Sequence, residues 1–113
     1  MKGKTKMLSD ANCILGNSIR FQLVKLLLKE KLPISGIAER LGVERDVVCY
    51  HLGRLEDHGF IKREYQIIRS PKNGHGLAGM FFEATEKVDQ VITDVQNFLN
   101  DLKRRLKYQE GKA

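Results

Sequence analysis

The stretch ISGIAERLGVERDVVCYHLGRLEDHGFIKRE, Ile34 to Glu64, constrains the fold most. It sets two short helical segments either side of Gly42, where a helix must stop and turn and where left-handed backbone is favoured. Ser35 is the expected N-cap of the first segment, GIAERL, because its hydroxyl can accept an orphan backbone N–H. Ala38 is small where two helices must cross closely, and Ile37, Leu41, Val43 and Val48 supply an apolar wedge between them. The second segment is expected from about Glu44 to His58, with Val48, Leu52 and Leu55 as its buried stripe. A unit of this kind holds its second helix out as a rigid rod of a size that fits the DNA major groove.

The flanks complete a small architecture. Lys2, Lys4 and Lys6 read as a short, mobile basic arm ahead of a first helix, Leu8 to Leu15, ending at Gly16. Asn17 or Ser18 can cap a second helix, in which Ile19, Leu23, Leu26 and Leu27 recur at helical spacing. Pro33 is expected to end it. After Gly59 the period changes. Phe60 to Ile68 reads as a strand with Ile61, Tyr65 and Ile67 on one side, Ser70 to Gly76 as a turn-rich stretch, and Met80 to Ala84 as the returning strand. Thr85 can then cap a last helix from about Glu86 to Tyr108. In that helix Val88, Ile92, Val95, Leu99, Leu102 and Leu106 form a heptad seam, widened by Val91 and Phe98.

The expected fold is therefore mainly α with a small β-hairpin: a winged helix-turn-helix with a long C-terminal dimerisation helix. One domain spans 1–113, its core at 8–84 and the dimerisation helix at 85–108, as suits a chain of 113 residues. A 42% hydrophobic fraction is enough for a real core. A formal net charge of +6 suits a polyanionic partner. No apolar run is long enough to cross a membrane or serve as a secretory signal, and Cys13 and Cys49 fit a reducing compartment, so a cytoplasmic protein is expected.

LGNSIRFQLVKLL, Leu15 to Leu27, resembles the "Leu-x-x-x-x-Arg-x-x-Ile-Leu-x-x-Leu" helix of the ArsR-like winged-helix repressors, with the Arg at Arg20. VVCYHLGRLEDHGFI resembles that family's "Thr-Val-Ser-x-His-Leu-x-x-Leu-x-x-x-Gly-Leu-Val" through His51, Leu52, Leu55 and Gly59. The resemblance implies a homodimer that binds double-stranded DNA and regulates transcription, as a repressor. It does not extend to metal sensing. GIAERL lacks the Cys-x-Cys cluster of the metal-sensing members, and the last helix lacks the histidines of others. The wing sequence, Lys-Asn-Gly-His-Gly-Leu-Ala-Gly followed by Met-Phe-Phe, also resembles the PadR-like relatives.

On a helical wheel the face opposite Val48, Leu52 and Leu55 carries Asp46, Tyr50, Gly53 and Arg54, flanked by Cys49 and Arg45. Arg45, Asp46, Cys49 and Tyr50 are expected at base edges: Arg can pair with guanine, Asp can accept from cytosine, and Tyr offers a hydroxyl and a ring. Arg54 and His51 are expected at phosphates, and Gly53 lets the backbone come close. The wing offers Lys62, Arg63, Arg69, Lys72, Asn73 and His75 to flanking DNA, whereas the tail residues Lys103, Arg104, Arg105 and Lys107, which could reach phosphates, are expected to form a solvated terminus. Four acids among Glu44 to His58 make the segment less basic than many of its kind. That favours the competing reading, a winged-helix adaptor that binds protein. Leu8 and Leu15, with Val88, Ile92, Val95, Leu99, Leu102 and Leu106, are expected at the dimer interface. In the alternative, the last helix folds back on its own domain.

No nucleophile–base pair and no phosphate loop occurs, so an enzyme is not expected. His51, His58 and His75 lack metal-site spacing, no cofactor is implied, and no residue names a small-molecule effector. Cys49, near the expected DNA face, is a candidate redox switch, whereas Cys13 is expected in the core.

Overall fold

Seven elements follow one another: α1 (Lys2–Leu15), α2 (Ser18–Lys29), α3 (Ile34–Leu41), α4 (Arg45–Asp57), β1 (Ile61–Arg69), β2 (Gly76–Ala84) and α5 (Glu86–Gly111). The computed structural model describes the backbone of residues 2–69 and 76–111 and the side chains of residues 6–67 and 78–107. β1 and β2 form one antiparallel hairpin, with Ile61 opposite Ala84 and Tyr65 opposite Met80. This is the winged helix-turn-helix that the alternation of periods predicts.

Local chemistry sets the boundaries. Asn17 caps α2, its Oδ1 accepting from the backbone N–H of Ile19 and of Arg20, each at 3.0 Å. Gly42 closes α3 in left-handed conformation, with φ at 65°, and Gly59 turns the chain from α4 to β1 with φ at 78°. Both positions suit a residue without Cβ.

Several expectations are corrected. The basic arm is helical, because α1 begins at Lys2: once Ala11 and Ile14 anchor the helix in the core, adding turns ahead of them is inexpensive. α2 ends at Lys29, before Pro33, and Leu32 instead pairs with Phe82 in an isolated bridge (2.9 and 3.1 Å). Pro33, not Ser35, is the N-cap of α3, which starts at Ile34, two residues earlier than a Ser35 cap would place it. The Thr85 hydroxyl does not cap α5 but donates to the Gly59 carbonyl at 2.6 Å. The turn expected at Ser70 to Gly76 lies mostly outside the described residues.

The core sits where these elements meet. Leu23 and Leu27 of α2, Ile37 of α3, Val48, Leu52 and Leu55 of α4, Phe60, Ile61 and Phe82 of the hairpin and Val88 of α5 are buried together. Ile37, Val48, Ala38, Leu41 and Val43 form the wedge between α3 and α4, as their spacing predicts. α5 is divided. Val88 and Val91 are buried and Val95 packs against the core, while the helix beyond them projects and contributes to a molecule 71 Å long and 26 Å across.

Candidate nucleic-acid interface

α4 owes its exposure to what holds it from behind. Val48, Leu52 and Leu55 are completely or almost completely buried, so the opposite face of the helix is turned out. Arg45, Asp46, Cys49, Tyr50 and Arg54 are all exposed on it, Tyr50 by 62%. Among the described residues, Arg45 and Arg54 take part in no ion pair. A Cβ built on Gly53 would meet nothing within 4 Å, so the protein's own packing does not require a glycine there.

His51 is placed differently from the expectation, and this is a correction. Its side chain is buried, with the ring of Tyr50 edge-on at 5.1 Å. Arg20 of α2 lies 3.4 Å from its Nδ1. A guanidinium only donates, so Nδ1 accepts and the ring proton sits on Nε2. Burial, and then the Arg20 charge, hold the His51 pKa below its ordinary value, so the ring stays neutral. His51 is thus a packed link between α2 and α4 and not a cationic phosphate contact. Arg20 also donates through Nε to the Cys13 carbonyl at 2.6 Å, tying the last turn of α1 to the same point.

A second set of contacts joins α4 to the wing and to α5. Arg63 of β1 grips Glu56 with both Nε (2.8 Å) and Nη2, and its guanidinium stacks 5.0 Å from the Phe82 ring centroid. The hydrogen bond to Glu56, and then its charge, hold Arg63 more firmly protonated than usual. At the C-terminal end of α4, Lys87 donates to the His58 carbonyl, and buried Asp10 lies 3.4 Å from His58 Nδ1 and 3.7 Å from Lys87 Nζ. The sequence reading missed Arg20, Glu56 and Lys87 as holders of the helix. Only Arg20 was visible as part of a motif.

Of the wing residues, Lys62 and Arg63 are exposed, and Lys62 pairs with Glu83 at 3.1 Å. Arg69 lies at the end of β1, its side chain outside the described residues, as are Lys72, Asn73 and His75 altogether. Lys103, Arg104, Arg105 and Lys107 are exposed on the projecting part of α5, Arg105 paired with Asp101. Cys13 is buried, which pushes its thiol pKa up, and both cysteines are free.

The seam residues divide in two. Leu8, Leu15, Ile92, Leu99, Leu102 and Leu106 are exposed by 39 to 62%, a large apolar stripe for one small protein. Val88 is corrected: it is completely buried in its own domain and is out of reach of a partner. Between α1, α2 and α5 runs an apolar groove of about 290 Å³ lined by Ile14, Leu15, Phe21 and Ile92 among others. Among the described residues no cluster of His, Cys, Asp and Glu could hold a metal ion, and no helix is long and apolar enough to cross a membrane.

Comparison with solved structures finds the same arrangement in known proteins. An ArsR-like transcriptional regulator from a Rhodococcus species matches with a TM-score of 0.67 at 17% identity, over 97% of this chain and 93% of that one. HlyU from Vibrio cholerae matches with a TM-score of 0.60 at 17% identity, over 87% and 97%. A homodimeric winged helix-turn-helix DNA-binding domain from Mycobacterium bovis, a possible ArsR-family regulator, matches with 0.59 at 16% identity, over 92% and 88%. Comparison with curated proteins finds no match. Residues 17–63, from the cap of α2 to the arginine that grips α4, fit the family model described as bacterial regulatory protein, arsR family. The segment from Asn17 to Arg63 is thus similar to the arsR family, and the fold around it is one that solved ArsR-like regulators share.

Proposed function

We propose that the chain is a homodimeric regulator of transcription that binds double-stranded DNA and reads its major groove with α4. The observation that carries this reading is the exposure of Arg45, Asp46, Cys49, Tyr50 and Arg54 on one face of a helix whose opposite face is fully packed. Arg45 and Tyr50 suit base edges and Arg54 a phosphate. Gly53 supports it, since a glycine with empty space around it serves an approaching partner better than it serves the helix. The net charge of +6 supplies the long-range attraction.

The dimer follows from the apolar stripe. Leu8 and Leu15 of α1, with Ile92, Leu99, Leu102 and Leu106 of α5, face a second copy, and Val95 lies at the edge of that contact. The related domain from Mycobacterium bovis is described as homodimeric and DNA-binding. A twofold pair presents two α4 helices to half-sites about one DNA turn apart. The wing, including Arg69, Lys72, Asn73 and His75, lies along flanking DNA. The protein acts in the cytoplasm and represses by covering its site. The protein-adaptor reading gains no support from the fold: Glu56, one of the acids that suggested it, is occupied by Arg63.

The test is binding of the purified chain to labelled duplex from upstream of its own gene, against scrambled duplex, at low and moderate salt. Preference for the native duplex, weakened by salt and reduced in Arg45→Ala and Tyr50→Ala, is the expected result. Binding that neither substitution alters refutes the assignment of α4.

A further inference from the structure

The wing carries an apolar face that the assignment of α4 leaves unused. Side chains alternate along a strand, and the register pairs Arg63 with Phe82, Tyr65 with Met80 and Ile67 with Ala78. These residues share the inner face of the hairpin with Ile61. At the base that face is covered, because Ile61 and Phe82 are buried in the core. Farther out it is open, with Tyr65 exposed by 58%, Ile67 by 65% and Met80 by 44%. A two-stranded hairpin gains little stability by itself, so leaving three large apolar side chains in water at its outer end calls for an occupant.

Charge is sorted between the two faces. Both described acids of the hairpin, Glu64 and Glu83, lie on the outer face, where Lys31 reaches each at 3.6 Å and Lys62 reaches Glu83. On the inner face the one described charge is Arg63. The inner face also adjoins α4. Arg63 grips Glu56, and Cys49 and Arg45 follow on the same helical stripe seven and eleven residues earlier. The wing and α4 therefore form two walls meeting at the Arg63–Glu56 pair, one apolar and one carrying Arg45, with no carboxylate on the wing wall among the described residues.

We propose that this inner wing face is a binding surface for a DNA strand, with Tyr65, Ile67 and Met80 packing on deoxyribose and thymine methyl groups at the edge of the groove that α4 enters. The inference rests on the DNA-binding reading and adds an uncharged share of affinity to it. A backbone strand offers apolar sugar edges between its phosphates. A surface that is apolar and free of carboxylates, beside exposed arginines, complements such a strand, whereas Lys62 and Glu83 on the other face already satisfy each other.

The test separates apolar from ionic binding through salt. The wild-type chain and the variant Y65S/I67S are titrated against the duplex that the wild-type chain selects from a randomised pool, over about 50 to 200 mM salt. Loss of an apolar contact lowers affinity about tenfold or more at every salt concentration. It leaves the slope of log affinity against log salt unchanged, whereas Arg54→Ala makes the slope shallower by about one phosphate's worth, 0.9. In parallel, benzoylphenylalanine placed at position 65 is expected to crosslink to the DNA strand. Affinity of the variant within about twofold of wild type, while Arg54→Ala weakens binding, overturns the wing inference alone. So does a changed slope, or crosslinking of position 65 to a second copy. Failure of the folded wild-type chain to bind any duplex overturns the DNA-binding reading and this inference with it.

Discussion

Arg20→Met should reveal how α4 is held. The substitution keeps an apolar stem and removes the guanidinium that donates to the Cys13 carbonyl and to His51 Nδ1. Both acceptors are then left in a partly buried setting. Hydrogen bonds from a charged donor contribute about 1.5–3 kcal/mol, and the 3.4 Å contact is long, so a loss of about 2 kcal/mol is expected. For a domain of this size that corresponds to a fall in Tm of roughly 10 °C.

The pH dependence of the loss is more specific. His51 is buried and faces Arg20, and both effects hold its folded pKa below the ordinary 6.5. As the pH falls through 6.5 the unfolded chain takes up the proton first, so stability declines until the folded ring is protonated too. Without Arg20 the folded pKa moves back toward 6.5 and that window narrows. Arg20→Met should therefore be destabilised most at about pH 7.5, with the gap to wild type shrinking toward pH 5. Thermal unfolding followed by circular dichroism at the two pH values measures it. A deficit that stays constant or grows on acidification refutes the link between Arg20 and His51.

Gly53→Ala should raise Tm by a few degrees, because alanine favours a helix interior by about 1 kcal/mol and the site has room, yet weaken DNA binding by crowding the partner. A gel-shift titration and a melt on the same sample check both signs. Val88→Asp should unfold the protomer, whereas Leu99→Asp should leave it folded and monomeric by analytical ultracentrifugation. Equal loss of fold in the two would contradict the division of α5. Asn17→Ala removes a two-bond cap and should cost about 1 kcal/mol, read as a shift in urea midpoint with an unchanged m-value.

The parts of this fold that were legible in sequence are those governed by period and by turn chemistry. Val48, Leu52 and Leu55 announced the buried side of α4, and Gly42 announced the turn before it, because each follows from backbone geometry alone. His51 was misplaced because a histidine beside the stripe reads as polar. Its position three residues after Val48 and four before Leu55 puts it on the buried arc, and that spacing was available. α5 was read as one seam, but it carries two. Val88, Val91 and Val95 serve the domain's own core, and Ile92, Leu99, Leu102 and Leu106 look outward. Periodicity gives the apolar stripe and not the owner of the surface that covers it. Tertiary ties such as Arg63 to Glu56 and Lys87 to the His58 carbonyl were illegible, since charged residues at such separations carry no local signal.

The central claim, two copies reading DNA through α4, is tested most directly by hydroxyl-radical footprinting of the selected duplex at saturating protein, with stoichiometry taken from sedimentation of the complex. The account predicts two chains per duplex and two protected segments centred about one helical turn, roughly 10 base pairs, apart. Tyr50→Ala and Arg45→Ala should erase both segments together. One chain bound, a single protected segment, or protection untouched by these substitutions would contradict it.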